Sequence, residues 1–188
     1  MIAILGLSGS LRERSFNSAL LRCAAELLPQ DARIELTSIR EIPLYDGDVE
    51  TREGIPKSVQ ALKERIVASD ALLIATPEYN NSIPGVAKNA IDWLSRPNAD
   101  IPRVFGQRVV GVIGASPSPR GTALAQLAWL PVLRVLGTRP WFGASVYVPY
   151  AQKAFDDNGE LADEGDRERL RRYLEGFVEY ARQMQTLT

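Results

Sequence analysis

A stretch near the start of the chain, residues 9–20 (GSLRERSFNSAL), is rich in hydroxyl and guanidinium groups. It follows a short apolar run and leads directly into a helical pattern, so it connects a predicted strand to a predicted helix. The first N–H groups of a helix lack partners within the helix, and the helix dipole favours an anion there. Side-chain donors for such an anion come from Ser8, Ser10, Arg12, Ser15, Asn17 and Ser18. The stretch predicts a phosphate-binding loop; the alternative is a serine-rich capping loop with solvated arginines.

This loop does not have the spacing of the common phosphate-binding motifs. No Gly-Lys-Ser/Thr follows it, which excludes a Walker loop, and residues 6–15 (GLSGSLRERS) lack the G-x-G-x-x-G spacing of dinucleotide sites. No cysteine stands at the end of the preceding apolar run, which excludes a cysteine phosphatase loop. A phosphate site here is therefore of a different kind.

Two further polar loops, residues 76–85 (TPEYNNSIPG) and 114–121 (GASPSPRG), also follow apolar runs, and two prolines stiffen each of them. In the first, Tyr79 and Asn80 offer an aromatic face and an amide. A rigid loop presents backbone N–H and C=O groups at fixed positions, which suits the edge of a flat heteroaromatic ring. The second loop, with Ser116 and small neighbours, leaves room for a planar ligand. Turn-rich connections without a ligand remain the alternative for both.

The counts of two residue types exclude several kinds of catalysis. The chain has 188 residues, no histidine and one cysteine, Cys23. Ser-His-Asp hydrolysis, Cys-His proteolysis and nearly all zinc catalysis need an imidazole, and one thiol can form neither an intramolecular disulfide nor a cysteine metal cage. Cys23 lies on the apolar face of a predicted helix, which indicates a buried thiol. Either a bound cofactor supplies the reactivity or the protein is not a catalyst.

Apolar runs predict the strands that carry these loops. The runs at residues 1–7, 70–76 and 108–115 are continuous, as in strands of a parallel sheet that is covered on both faces. The run at 33–39 alternates, which indicates an edge strand, and 141–148 (WFGASVYV) is the fifth predicted strand.

Helical patterns occupy the intervals between strands and the end of the chain, at residues 16–28, 57–69, 86–95, 122–136 and 170–184. Strands alternating with helices, without a linker or repeat, predict a single doubly wound α/β domain over residues 1–188. In a sheet of order 2-1-3-4-5, ligands bind where the winding reverses, beyond the carboxyl ends of strands 1 and 3. The three polar loops therefore converge on one edge.

The helical run at 122–136 (TALAQLAWLPVLRVL) is apolar around almost its whole circumference, and Arg134 is its one charge. A helix that is apolar on every side must be buried on every side. We expect a subunit interface on its outer face. The alternative is that the segment at 149–165 covers it.

The bulk composition is that of an ordinary globular protein, with 45% apolar residues, 24% charged residues and a formal net charge of -1. This charge does not favour a nucleic acid or a membrane surface as partner. The first apolar run is too short to span a bilayer and lacks a basic flank, so we expect a cytoplasmic protein.

Residues 9–20 and 76–96 (TPEYNNSIPGVAKNAIDWLSR) together closely resemble the NAD(P)H-dependent FMN reductase family, which includes chromate reductases, quinone reductases and related azoreductases. The resemblance extends from residue 1 to about residue 185. It implies a flavodoxin-like fold, with a five-stranded parallel sheet in the order 2-1-3-4-5 and helices on both faces. It also implies non-covalently bound FMN and a homodimer or homotetramer.

The resemblance assigns a role to residues in all three loops. It implies that the FMN phosphate is held by Ser10, Arg12, Ser15, Phe16, Asn17 and Ser18. It implies that the isoalloxazine ring is lined, largely by backbone groups, by Pro77, Glu78, Tyr79 and Asn80, and on a third side by Ser116, Pro117 and Gly121. The chain departs from the family at Asn81, where an aromatic residue is common. We expect this departure to affect substrate preference or the subunit contact more than FMN binding.

The function implied by the resemblance is an FMN-dependent oxidoreductase that needs no protein nucleophile. NADPH or NADH would deliver hydride to flavin N5, and a small-molecule electron acceptor would then take its place. Quinones, flavins, azo compounds and metal oxyanions such as chromate are the implied acceptors. One alternative is a flavodoxin-type electron carrier that does not oxidise NAD(P)H itself, although such carriers are usually strongly acidic. Another is a non-catalytic scaffold that has lost FMN.

Overall fold

The computed structural model describes residues 1–186. The strands within this part of the chain are β1 (Ile2–Ser8), β2 (Ala32–Ser38), β3 (Ala71–Ala75), β4 (Val109–Ala115), β5 (Arg139–Pro140) and β6 (Tyr147–Val148). The α-helices are α1 (Phe16–Leu27), α2 (Gly47–Glu53), α3 (Lys57–Val67), α4 (Gly85–Leu94), α5 (Ile101–Val104), α6 (Ala123–Val135), α7 (Ala151–Ala154) and α8 (Glu164–Gln185). The longer helices match the predicted segments, whereas the short helices α2, α5 and α7 were not predicted.

The strands form one parallel sheet in the order β2-β1-β3-β4-β5, with β6 also paired to β4. The predicted order 2-1-3-4-5 is confirmed. The central strands β1, β3 and β4 are almost entirely buried, as their continuous apolar sequences predict. The strand β2 lies at the edge and alternates between half-buried and exposed residues. The sheet therefore fixes where the loops after β1, β3 and β4 begin.

Helices cover both faces of the sheet and create two apolar clusters. On one face, α1, α8 and the segment around α7 pack against the sheet, and this cluster includes Cys23, Phe155 and Phe177. On the other face, α3, α4 and α6 contribute residues such as Trp93 and Trp129. Burial on both faces is what holds the central strands and their polar loops in register.

The fifth strand was predicted as one segment at 141–148, and this prediction is wrong for most of that segment. The sheet contains two short strands instead, β5 before it and β6 at its end. Trp141 turns its ring onto α8, where it meets Tyr173 edge-to-face at a centroid distance of 4.7 Å. The chain leaves the sheet at this residue and pairs again when Gly114 donates its N–H to the carbonyl of Val146 at 3.1 Å. The strand is thus interrupted where the half-buried indole turns toward α8.

The outer face of α6 is open to solvent. Trp129 and Leu133 are buried against the sheet, whereas Leu127 is 58% exposed and Val135 is 78% exposed. The segment at 149–165 packs against α1 and α8 instead. The alternative in which this segment covers α6 is therefore wrong. No helix in the described part of the chain is both long and apolar enough to cross a membrane.

Candidate functional site

The carboxyl ends of β1, β3 and β4 bring the three polar loops together. Gly9 donates its N–H to the carbonyl of Ala75 at 2.9 Å, and Thr76 donates to Ile113 at 2.8 Å, so each loop leaves the sheet in a fixed position. The predicted site residues that line one cleft at this edge are Ser10, Arg12, Ser15, Phe16, Asn17, Pro77, Glu78, Tyr79, Ser116 and Pro117. Ala115 also lines the cleft and was not predicted. Ser18, Asn80 and Gly121 lie outside the lining.

The first loop presents several donors without partners. Ser15 is the N-cap of α1, and its Oγ accepts the N–H of Ser18 at 3.3 Å. The backbone N–H groups of Phe16 and Asn17, at the first two helical positions, find no acceptor among residues 1–186. Ser10 accepts the N–H of Arg12 at 3.3 Å, which leaves the hydroxyl hydrogens of Ser10 and Ser15 available. A cluster of free donors at a helix N-terminus suits a phosphate group.

Asn17 uses its side chain to join two of the loops. Its Nδ2 donates to the carbonyl of Ala115 at 2.9 Å, and its Oδ1 accepts the N–H of Ala115 at 2.9 Å. The amide is buried and both of its polar atoms are occupied. What Asn17 leaves for a ligand is its backbone N–H. The sequence could identify this amide as a donor but not that its partner lies 98 residues away in the chain.

Glu78 directs its carboxylate away from the first loop. Its Oε2 accepts the N–H groups of Leu124 and Ala125 at 2.9 and 3.0 Å, at the first turn of α6. The N-cap residue Thr122 makes no capping bond with its own side chain, so Glu78 takes that role. The positive end of the α6 dipole stabilises the carboxylate. One oxygen of the carboxylate is therefore held by α6, although Glu78 lines the same cleft as the donors at the start of α1.

The second loop is a tight turn closed by two backbone hydrogen bonds between Tyr79 and Ser82, at 3.1 and 3.0 Å. Asn80 and Asn81 form its tip with φ of 50° and 60°, a left-handed conformation that asparagine tolerates. Tyr79 is 45% exposed at the mouth of the cleft. The turn therefore holds the backbone of Pro77–Tyr79 against the cleft and points its tip outward.

The third loop is closed by Ser116. Its Oγ donates to the carbonyl of Gly121 at 2.7 Å and accepts the N–H of Ser118 at 3.1 Å. Gly121 has a φ of +58°, a conformation that glycine adopts readily, so this residue allows the loop to turn. Ser18 is also occupied, because its Oγ lies 2.8 Å from the Oγ of Ser8. The residues outside the cleft lining therefore support the loops that line it.

The sequence model of the NADPH-dependent FMN reductase family matches residues 2–153. The chain belongs to this family. It is 43% identical over 183 residues to an NAD(P)H-dependent FMN reductase of Pseudomonas aeruginosa, with 97% of each chain covered. It is 36% identical to a quinone reductase of Escherichia coli K12, with 95% of each covered. Among solved structures, the flavoenzyme FerB of Paracoccus denitrificans, an NAD(P)H:(acceptor) oxidoreductase, superposes with a TM-score of 0.86 at 33% identity, covering 98% of this chain and 99% of FerB.

The donor set of this FMN reductase family member fits FMN at the phosphate end. Free hydroxyl, backbone N–H and guanidinium donors converge there, and the one carboxylate in the cleft lining, Glu78, accepts hydrogen bonds from the first turn of α6. Cys23 has no part in the site, because it is buried on the inner face of α1. Burial raises the pKa of the Cys23 thiol, despite nearby Arg167, so the thiol stays protonated at neutral pH. No group of His, Cys, Asp and Glu within residues 1–186 is arranged to bind a metal.

Proposed function

We propose that this protein is an FMN-dependent oxidoreductase that takes hydride from NADPH or NADH and reduces quinones. The observation that carries the proposal is the set of unpartnered donors at the N-terminus of α1, in a chain that belongs to the NADPH-dependent FMN reductase family. The quinone reductase among its relatives supports a small-molecule acceptor. Free flavins, azo compounds and metal oxyanions such as chromate are further acceptors to be tested.

In this proposal the phosphate of FMN is held by the hydroxyls of Ser10 and Ser15, the N–H groups of Phe16 and Asn17, and Arg12. Bound FMN supplies the redox chemistry, accepting hydride from NAD(P)H and passing electrons to the acceptor. The protein contributes fixed donors that hold and orient the cofactor.

The isoalloxazine ring is proposed to contact the backbone of the second loop and the turn of the third loop. The residues concerned are Pro77, Glu78, Tyr79, Asn80, Ser116, Pro117 and Gly121. Donors held rigidly in the second loop would stabilise charge on the reduced ring without reorganising. Ser18 supports the phosphate loop through Ser8.

An absorbance spectrum of the purified protein, with FMN added, tests the proposal, followed by anaerobic addition of NADPH. We expect a flavin band at about 450 nm that bleaches on addition of NADPH and returns when a quinone is added. Ser15→Ala should weaken FMN binding by about tenfold, since a phosphate donor and the α1 cap are both lost. Flavin that binds but stays oxidised under NADPH and NADH would instead indicate a flavodoxin-type carrier. Failure to bind FMN would overturn the proposal.

We also propose a homodimer or homotetramer, formed through the outer face of α6. Leu127, Leu130 and Val135 are exposed on this helix, and Phe142 and Tyr147 are exposed beside it. Around them lies an apolar groove of about 100 Å³. Apolar surface of this kind on a globular protein is typical of an interface. We place the protein in the cytoplasm, where NAD(P)H is supplied.

Light scattering on a sizing column tests the interface. Leu127→Asp should shift the oligomer toward monomer, because a carboxylate would be buried without a partner. Leu44→Asp is the matched control, since Leu44 is 83% exposed and does not line this groove. A monomeric wild-type protein, or equal behaviour of both variants, would contradict the proposal.

A further inference from the structure

A second depression adjoins the cleft, and we call it the arginine groove. It measures about 560 Å³ and is lined on the α1 side by Arg12, Glu13, Arg14, Ser15, Phe16, Ala19 and Arg22, and on the α7 side by Gln152, Phe155, Asp156, Asp157, Asn158 and Gly159. It shares Arg12, Ser15 and Phe16 with the cleft. The two depressions therefore adjoin at these three residues.

The groove lining carries three guanidiniums and three carboxylates, and two of the guanidiniums form no pair with them. Arg14 and Arg22 have no ion-pair or hydrogen-bond partner within residues 1–186. An alanine Cβ at Gly159 would lie 3.6 Å from Nη2 of Arg22, so this guanidinium rests against the turn on the opposite wall. Asp156 is occupied, because its Oδ1 accepts two backbone N–H groups of its own turn at 2.9 Å. The remaining carboxylates of the lining are Glu13 and Asp157.

The groove also contains an aromatic pair. The rings of Phe16 and Phe155 lie with centroids 5.4 Å apart at 36° to one another, and both line the groove. Phe16 lines the cleft as well. An aromatic surface beside unpaired guanidiniums and two carboxylates offers contacts to a flat base, a phosphate and sugar hydroxyls. These are the three parts of a nucleotide.

We propose that the arginine groove binds the adenosine end of NADPH, with its 2′-phosphate on Arg14 and Arg22. This inference rests on the proposed function, since it names the nucleotide that reduces the flavin. The adenine lies toward the aromatic pair, and the 3′-hydroxyl of the adenosine ribose donates to Asp157 or Glu13. NADH lacks the 2′-phosphate and so gains nothing from the two arginines. The groove therefore selects NADPH over NADH.

Calorimetric titration of the FMN-loaded protein with 2′,5′-ADP and with 5′-AMP tests the proposal without any turnover. We expect 2′,5′-ADP to bind the wild type more tightly than 5′-AMP. Arg14→Ala and Arg22→Ala should each weaken the binding of 2′,5′-ADP by about tenfold, or about 1.4 kcal/mol. Each variant removes a charge-assisted contact to phosphate. Arg33→Ala is the matched control, since Arg33 is also exposed and unpaired within the described residues but lies on the edge strand β2. It should leave the affinity unchanged.

Steady-state kinetics provide the second measurement. The ratio of KM for NADPH to KM for NADH should rise about tenfold in each groove variant and stay constant in Arg33→Ala. Equal affinity of the wild type for 2′,5′-ADP and 5′-AMP would overturn the inference, as would unchanged 2′,5′-ADP binding in the variants. If FMN binds and NADH bleaches it, but the expected 2′,5′-ADP affinities are not found, the inference is wrong and the proposed function stands. If neither nucleotide bleaches bound FMN, the proposed function itself fails.

Discussion

Replacing Glu78 by alanine removes the contact between the second loop and α6. Two backbone N–H groups, at 2.9 and 3.0 Å from one carboxylate oxygen, lose their acceptor at the start of a helix that has no other side-chain cap. A lost cap costs about 1 kcal/mol, and the lost charge at the helix N-terminus adds about 0.5–1 kcal/mol. We expect Glu78→Ala to lower the free energy of unfolding by about 2 kcal/mol, which for a chain of this size corresponds to a Tm about 4–8 °C lower.

Glu78→Gln should lower the free energy of unfolding by about half as much as Glu78→Ala. The amide oxygen of glutamine can still accept the two hydrogen bonds but carries no charge. The freed second loop must then be ordered when FMN binds, so the Kd for FMN should rise about tenfold in Glu78→Ala and less in Glu78→Gln. Urea unfolding and quenching of flavin fluorescence measure the two effects. Glu41→Ala is the control, since Glu41 is an exposed loop glutamate with no contact to α6. An FMN affinity that is equal in all variants would refute the positioning role, even if stability changed.

Three further changes test other parts of the structure. Asn17→Ala leaves the N–H and carbonyl of Ala115 buried without partners, so urea unfolding should report a loss of about 2–4 kcal/mol; an unchanged midpoint would contradict this. The hydrogen bond from buried Lys63 lowers the pKa of Asp100, so the stability it adds is present above about pH 4 and is lost as pH falls through the lowered pKa. Asp100→Asn should therefore cost about 2 kcal/mol at pH 7 and flatten the acid limb of a stability–pH curve; parallel curves would contradict this. Asn81→Tyr places an aromatic side chain at the exposed tip of the second loop and should change the KM for a quinone more than the Kd for FMN, and the reverse order would contradict it.

The sheet was predictable because burial on both faces leaves a clear mark on a strand. The runs at 70–76 and 108–115 have no polar positions to alternate with, and their strands proved to be central. The segment at 141–148 carried the same apolar signal for a different reason. Its tryptophan packs against α8, and only Tyr147–Val148 at its end joins the sheet. Apolar composition records that a side chain is buried but not which element buries it.

The site was predictable to the level of loops and not to the level of side-chain direction. Asn17 and Glu78 have the residue types of ligand contacts, and both lie in the cleft lining. Each also bonds a backbone segment that is distant in sequence, at Ala115 and at the start of α6. A polar side chain can satisfy a ligand or the backbone equally well, and the choice depends on tertiary distances that the local pattern does not contain.

These contacts join the three loops before a ligand arrives. Asn17 connects the first loop to the third, Glu78 connects the second to α6, and Gly9 bonds the end of β3. A preformed site spares the ligand the cost of ordering the loops, so its binding energy is kept for affinity. In a chain without histidine, fixed donors are the main contribution the protein can make to a cofactor's chemistry. The predicted contacts therefore divide into two groups, free donors at the start of α1 and side chains that hold those donors in place.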